Sequence, residues 1–296
     1  MPALFAHMGA GACSSSQGLR LKTYLRAVLL KCSRISEVIE EIEASGLANA
    51  GTGSYLTYEG EIENEACAMS SSGAFSAACL VPPGLFPSKI ALAHLEQSVQ
   101  KGHVKPMAVV YRENQYRDLP FRPDFVISNR ETEIVGNAVL EPGLGSDTVG
   151  GVEIGETGAL CVSSSGGPKN KVPGRIGPCS VYAANTFTSG RVSVSVSGTG
   201  EALIRSGICR RIAKRVEKRD IEGIKHELRR FARKEKEFPY MGGIAIYRKE
   251  KNGSLIAINF QTAPCFVYGY RTEKKTAAVF KQQKDGEILV EARVLL

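Results

Sequence analysis

No apolar stretch in this 296-residue chain approaches the roughly 20 residues that a helical membrane span requires, so no membrane partner is expected. The opening residues, Met1 to His7, place no basic group ahead of the apolar ones, so a first strand is expected there and not a secretion signal. The eight cysteines (13, 32, 67, 79, 161, 179, 209 and 265) include no Cys-x-x-Cys pair. The four histidines are too few to complete zinc-ligand spacing, so neither a metal site nor a disulfide set is expected. Reduced thiols in a cytoplasmic or nuclear protein are the expectation, with Cys32 and Cys209 as small buried groups in helical stretches. A Gly-Lys-Ser/Thr loop is missing, and Gly9-Ala-Gly11-Ala-Cys-Ser14 lacks the third glycine of a dinucleotide fingerprint, which argues against a phosphate cradle. Without a serine-elbow motif, a Ser-His-Asp triad is a poor explanation of any activity. No cofactor is implied.

What is present is an ordinary globular composition, 43% hydrophobic and 23% charged, enough for one large core or two modest ones. The net charge is +8, with much of the excess in the stretches 210–219 and 229–236. Apolar residues interleave there at helical spacing, so both read as amphipathic helices with solvated basic faces. A docking surface for an acidic partner, an import signal or a nucleic-acid patch is the sharper reading, with nucleic acid the less expected partner.

Along the chain, Ala3 to Ala10 reads as a strand ending in a Gly-rich turn, and Ser14–Ser16 offer caps for the helix after them. Leu19 to Ala44 carries helical periodicity with a break near Ser33, and 46–53 reads as a Gly-rich loop. Leu56 to Ile62 predicts a hairpin turning at Glu59-Gly60, Ala66 to Leu80 a packed strand and helix start, and Pro87 to Val99 a helix. The segment from about 105 to 147 has scattered prolines and charges and reads as a surface linker. At Thr148 the pattern changes. Strands are predicted at 148–154, 159–163, 191–196, 243–247, 254–259 and 265–270, with helices at 201–219 and 221–236 and a hairpin turn at 251–253. Each half thus has strands followed by helices, which suggests α+β stacked antiparallel sheets covered by helices.

Four short elements come in order: Asp147-Thr148-Val-Gly after the linker, Ser163-Ser-Ser165-Gly-Gly167, Pro173-Gly-Arg175-Ile-Gly177, and Ser197-Gly198-Thr-Gly-Glu201. Hydroxyls and glycines offer hydrogen bonds and open backbone, and one arginine offers a bidentate fork for a carboxylate. Together with His7-Met-Gly-Ala-Gly11 and Asn49-Ala-Gly-Thr-Gly53, this series resembles the N-terminal-nucleophile hydrolases of the plant-type asparaginase and threonine-aspartase (taspase) family over nearly the whole chain.

The resemblance implies a four-layer αββα sandwich. It also implies self-cleavage between Asp147 and Thr148, giving an α chain (1–147) and a β chain (148–296) that stay together as one domain, as a single αβ pair or as two. Thr148 would be the nucleophile. Its freed α-amine, titrating near about 7.7–8.0, would act as the base. By the same resemblance Ser165 is the second hydroxyl beside the nucleophile and Arg175 binds the substrate carboxylate. Ser197 and the Gly198 amide are the oxyanion donors, and Asn49 orders the site through its loop.

The departures carry information. Asparaginases place an aspartate three residues after the arginine to pair with the substrate's ammonium, and this chain has Pro178. Asparaginases place glycine before the nucleophile, whereas this chain has Asp147, as threonine aspartases do. Both differences point to a threonine endopeptidase that cuts protein substrates after aspartate, with L-asparaginase or β-aspartyl (isoaspartyl) peptidase activity as the alternative. Glu65 in place of the usual aspartate, and Ser70-Ser-Ser-Gly73 in place of a Met-Asp-Gly continuation, keep a further alternative open, an uncleaved basic binding scaffold.

Overall fold

The computed structural model describes residues 1–100, 108–110, 148–233, 239–249 and 253–295. Asp147, almost all of the expected linker and the end of the second basic helix lie outside the described residues. Thirteen strands and six helices are described. The strands are β1 (Ala3–Gly11), β2 (Asn64–Ser70), β3 (Phe75–Val81), β4 (Val109–Val110), β5 (Val149–Ile154), β6 (Ala159–Ser165), β7 (Thr186–Thr188), β8 (Val192–Gly198), β9 (Met241–Arg248), β10 (Leu255–Gln261), β11 (Cys265–Arg271), β12 (Thr276–Gln282) and β13 (Leu289–Val294). The helices are α1 (Ser15–Lys31), α2 (Ile35–Ser45), α3 (Pro87–Gln100), α4 (Gly200–Ser206), α5 (Ile208–Glu217) and α6 (Ile221–Arg233).

The strands form two sheets, an eight-stranded one in the order β12-β11-β1-β5-β6-β2-β3-β4 and a five-stranded one in the order β13-β10-β9-β8-β7. Helices α1, α2 and α3 cover the outer face of the first, α5 and α6 that of the second, and the inner faces meet where β1 and β5 lie against β8 and β9. This is the four-layer αββα sandwich. Among the described residues, no helix is long and apolar enough to cross a membrane, and all eight cysteines are free thiols, with Cys32 and Cys209 buried.

The period-2 alternation of the strands decides what fills each layer. On β1, Leu4, Ala6 and Met8 join the core beneath the helices, whereas Ala3 and Phe5 join the core between the sheets. On β8, Val192, Val194 and Val196 pack under α5 and α6. The alternating Ser193, Ser195 and Ser197 are buried on the other face.

Several sequence expectations are corrected. Residues 66–80 form a hairpin of two strands and start no helix; their run of Ala, Ser and Cys is buried on both faces and so shows no clear period. The chain turns at Glu59-Gly60 as expected, Thr57 N–H donating to Glu61 O and Gly60 N–H to Thr57 O, but no pair of strands flanks the turn, and Thr57 bridges to Lys171. The helix expected over 201–219 is two helices, because Gly207 adopts φ 56° and ends α4. Within the expected linker, Val109–Val110 adds a short parallel strand beside β3. The break near Ser33 is observed: α1 ends at Lys31 and α2 starts at Ile35, with Ser14 capping α1 by accepting from Gln17 N–H.

Candidate active site

Thr148 sits at the head of β5, a strand paired to β1 on one side and β6 on the other. It is buried, and its hydroxyl donates to Ser165 Oγ at 3.0 Å. Ser165 lies at the end of β6 opposite that head, and its Oγ also accepts from Gly167 N–H at 3.1 Å. The two hydroxyls are thus fixed by the sheet, and the loop after Ser165 is fixed by them.

Asn49 holds that same loop from the other side. Its side chain donates to Gly167 O at 2.6 Å and accepts from Tyr55 N–H at 3.1 Å, while its carbonyl accepts from Gly166 N–H at 2.9 Å. Asn64 steadies the Asn49 loop in turn, accepting from Gly51 N–H and from the Ser54 hydroxyl.

Arg175 reaches back over this loop. Its guanidinium is mostly buried and pairs with Glu201, Nη2 to Oε1 at 2.8 Å and Nε to Oε1 at 2.9 Å. Gly177 and Gly200 make room for it: a methyl on either would lie 2.6 Å from Nη1 or 2.5 Å from Nη2. Partial burial pushes the Glu201 carboxyl up, but the Arg175 hydrogen bond and charge outweigh this and hold it below the usual range. More than half of the Glu201 side chain remains exposed.

Pro178 is buried and starts a short 3-10 turn, Pro178–Ser180. Glu65, directly across from Ser165 on β2, sits beneath that turn and accepts from Gly177 N–H (2.6 Å), Cys179 N–H (3.3 Å) and the Ser180 hydroxyl (3.2 Å). Burial pushes its carboxyl up, and these donors together with Arg175 oppose the shift. The residue that looked like a departure in the sequence therefore anchors the turn that carries Arg175.

Ser197 is fully buried at the end of β8, where its Oγ accepts from Ala10 N–H at 3.3 Å. Gly198 adopts φ 151°, and a side chain there would collide with Tyr240 O. Thr199 locks this corner, donating N–H to Tyr240 O and accepting Tyr240 N–H at its hydroxyl.

Around the head of β5 the inner faces carry a polar network. His7 Nε2 meets Ser195 Oγ at 2.9 Å, Ser163 meets Thr186 at 2.6 Å and Thr188 meets Ser193 at 2.8 Å. Burial pushes the His7 imidazole down to about 3, so it is neutral near pH 7. Among the described residues, no cluster of His, Cys, Asp or Glu could hold a metal ion.

The fold thus brings Thr148, Ser165, Asn49 and Arg175 onto one continuous set of contacts. Ser197 and Gly198 stand at the end of the facing strand. Sequence reasoning did not assign Glu201 or Glu65. The available signal was physical: an arginine between glycines in a mostly buried turn needs a counter-charge, and the Gly-Thr-Gly-Glu element supplies one.

Comparison with known proteins adds the chemistry of relatives. The model of a family described as asparaginase matches residues 86–280. A protein of Arabidopsis thaliana named "Probable isoaspartyl peptidase/L-asparaginase 2" is 26% identical over 64% of this chain and 68% of its own length. An isoaspartyl peptidase/L-asparaginase of Xenopus laevis is 25% identical over 73% of this chain and 76% of its own. An isoaspartyl peptidase of Salmonella typhimurium is 26% identical over 58% of this chain and 60% of its own.

Proposed function

Because the chain belongs to the asparaginase family of N-terminal-nucleophile hydrolases, we propose that it is a self-processing threonine amidohydrolase that cleaves the side-chain amide of aspartyl groups, as an isoaspartyl peptidase or asparaginase. The observation that carries this reading is the Thr148–Ser165 hydroxyl pair at the head of β5, with Arg175 close against Gly167, whose N–H donates to Ser165 Oγ.

In the proposed maturation, Thr148 Oγ attacks the carbonyl of residue 147. The amide becomes an ester, water hydrolyses it, and the products are a carboxylate on Asp147 and a free amine on Thr148. In turnover that amine takes the hydroxyl proton as Oγ adds to the substrate carbonyl. Ser165 orients the hydroxyl. The Ser197 hydroxyl and Gly198 N–H receive the developing oxyanion. The leaving amine departs with the proton, and water releases the aspartyl product by the same route.

Arg175 and Glu201 form a clamp of both signs. A free asparagine or a β-aspartyl dipeptide presents an α-carboxylate and an α-ammonium on one carbon. Arg175 suits the first, and the half-exposed Glu201 carboxylate suits the second, supplying the charge that Pro178 does not. The named relatives favour the same class of substrate.

A second reading is the aspartate endopeptidase. Pro178 and Asp147 favour it, since a residue within a protein carries a neutral amide and needs no counter-charge. Intact mass after incubation at neutral pH tests the maturation, with two chains separated at 147/148 expected. Turnover of asparagine, a β-aspartyl dipeptide and an aspartate-containing peptide then separates the readings. Hydrolysis of the peptide alone would replace the first by the second, and a single uncleaved chain with no turnover would overturn both in favour of the basic scaffold.

A further inference from the structure

The basic stretches that the catalytic reading leaves unused fold into the helix pair α5 and α6. From Arg210 to Arg233 the sequence holds ten Lys and Arg against four Asp and Glu, so this short span carries +6 of the net charge of +8. All four carboxylates are engaged. Glu227 holds Arg211 and Arg215 between the helices, and Asp220 accepts from Arg215 at 3.2 Å. Glu222 pairs with Lys225 at 2.7 Å, and Glu217 accepts from the Ser189 hydroxyl. Arg210 and Lys214 on α5, and Lys218 at its C-cap, recur every four residues on one face. All three are exposed, and none has a carboxylate partner among the described residues.

A basic helix face is ordinarily just solvated. This one ends at an apolar cavity of about 220 Å³, which opens where α5 passes into α6. Val216 and Ile221 from the helices meet Ile256 and Ile258 of β10 and the exposed Val294 of β13 there. The charged residues of the lining are Arg219, which follows Lys218 directly, and Arg293. The carboxylate nearest Arg293 is Glu291 at 3.8 Å, and Glu291 is already bonded to Lys281 at 2.6 Å. Apolar walls under two cations, at the end of a cationic stripe, make one continuous surface.

We propose that this face docks an acidic segment of a partner protein, which lays carboxylates along Arg210, Lys214 and Lys218 and places one apolar side chain in the cavity between Arg219 and Arg293. Charge complementarity selects the sign of the partner. The cavity selects its class. It is smaller than the roughly 300–1,000 Å³ of small-molecule sites, so it suits a single side chain. Nucleic acid presents phosphates and stacking bases, and among the described residues no large exposed apolar side chain, rings included, lies on α5 or α6. A second copy of the chain would set like charges against like. None of these residues is among those that order Thr148, so the inference stands apart from the amidohydrolase reading.

The test is fluorescence anisotropy on the full chain with three labelled probes: a polyglutamate peptide with one central leucine, the same peptide with serine in its place, and a DNA duplex of unrelated sequence. The leucine peptide should bind about tenfold more tightly than the serine peptide, and both should weaken between about 50 and 200 mM salt. Lys214→Glu/Lys218→Glu should weaken both peptides by about thirtyfold. Val294→Asp should remove the leucine preference. Thermal midpoints of both variants should stay at the wild-type value, since all three side chains are exposed. Equal affinity for the two peptides overturns the cavity's part, and binding that survives the double charge reversal overturns the docking face. Tighter binding of the duplex than of either peptide overturns the protein partner in favour of nucleic acid. A wild-type dimer on gel filtration that Val294→Asp turns into monomers overturns it in favour of a second copy.

Discussion

The space between the two sheets has two ends, and β1 and β5 run through both. At one end Phe5, Val152, Ile244, Ile246 and Tyr270 pack as an ordinary apolar core. At the other, two residues further along β1 and four residues back along β5, lie His7 and Thr148, joined by Ser163 and Ser165 of β6 and Ser195 and Ser197 of β8. Both ends are buried, yet one adheres by area and the other by pairs of hydroxyls and backbone donors. The difference teaches that the polar end is held by individual hydrogen bonds, with buried His7 Nδ1 left without a partner among the described residues, so it is sensitive to single atoms, whereas the apolar end is sensitive to volume.

Thr148→Ala breaks the comparison most sharply. It should remove the 147/148 cleavage and lower turnover by about 10⁴-fold or more, leaving the thermal midpoint close to that of the uncleaved precursor. Intact mass and an amide-release assay check it, and processing of the variant at the same bond would remove Thr148 from the chemistry. Phe5→Ala attacks the opposite end. It should cost about 3–5 kcal/mol in urea unfolding through the cavity it leaves, with the sequence of the site untouched.

Arg175→Ala should spare the fold and lower kcat/KM for asparagine by about 10²-fold, because the substrate carboxylate loses its fork. Glu201→Gln is the finer companion: KM for asparagine should rise while a substrate lacking the α-amine is affected less. A separate expectation concerns pH dependence. An imidazole with an unfolded value near 6.5 and a folded value of about 3 binds its proton preferentially in the unfolded chain. Its contribution is therefore complete above pH 6.5 and is lost as the pH falls through the window from 6.5 to 3. Urea midpoints across that window should flatten in His7→Gln. Glu43 acts in the opposite sense. Burial raises its carboxyl to about 7, against the Ser88 N–H and hydroxyl donors, so its charging penalises the folded state as pH rises from 4.5 through 7.

Much of this was legible in the sequence, for identifiable reasons. Strands with strict alternation, such as 191–196, and helices with a clear apolar stripe, such as α2, are readable because one face is buried and the other is not. The hairpin β2–β3 was misread because Ala66, Cys67, Ala68, Ala77 and Ala78 are buried on both faces, so no period survives. Strands β12 and β13 are not among the sequence expectations, since both are partly exposed edge strands in which apolar and polar residues do not alternate strictly. The candidate site was legible as a series of motifs because its glycines and hydroxyls are demanded by backbone geometry, as at Gly198. The part played by Glu65 and Glu201 was not, because both act through partners more than 20 residues away in the chain.

The strand order of the large sheet has a further consequence. Read across, β12 and β11 come from the segment after residue 148, β1 from before it, β5 and β6 from after it, and β2, β3 and β4 from before it again. The two segments are laced together like the teeth of a zip, with β1 gripped on both edges by strands of the other. If the chain is cut at 147/148 as proposed, neither piece can leave without unzipping three ladders, β11–β1, β1–β5 and β6–β2, and neither can be readily traded for the same piece of another molecule. Two variants mixed after maturation would therefore never shuffle their halves. Each active centre would remain the product of one ribosomal chain, made once, with no route back to the precursor.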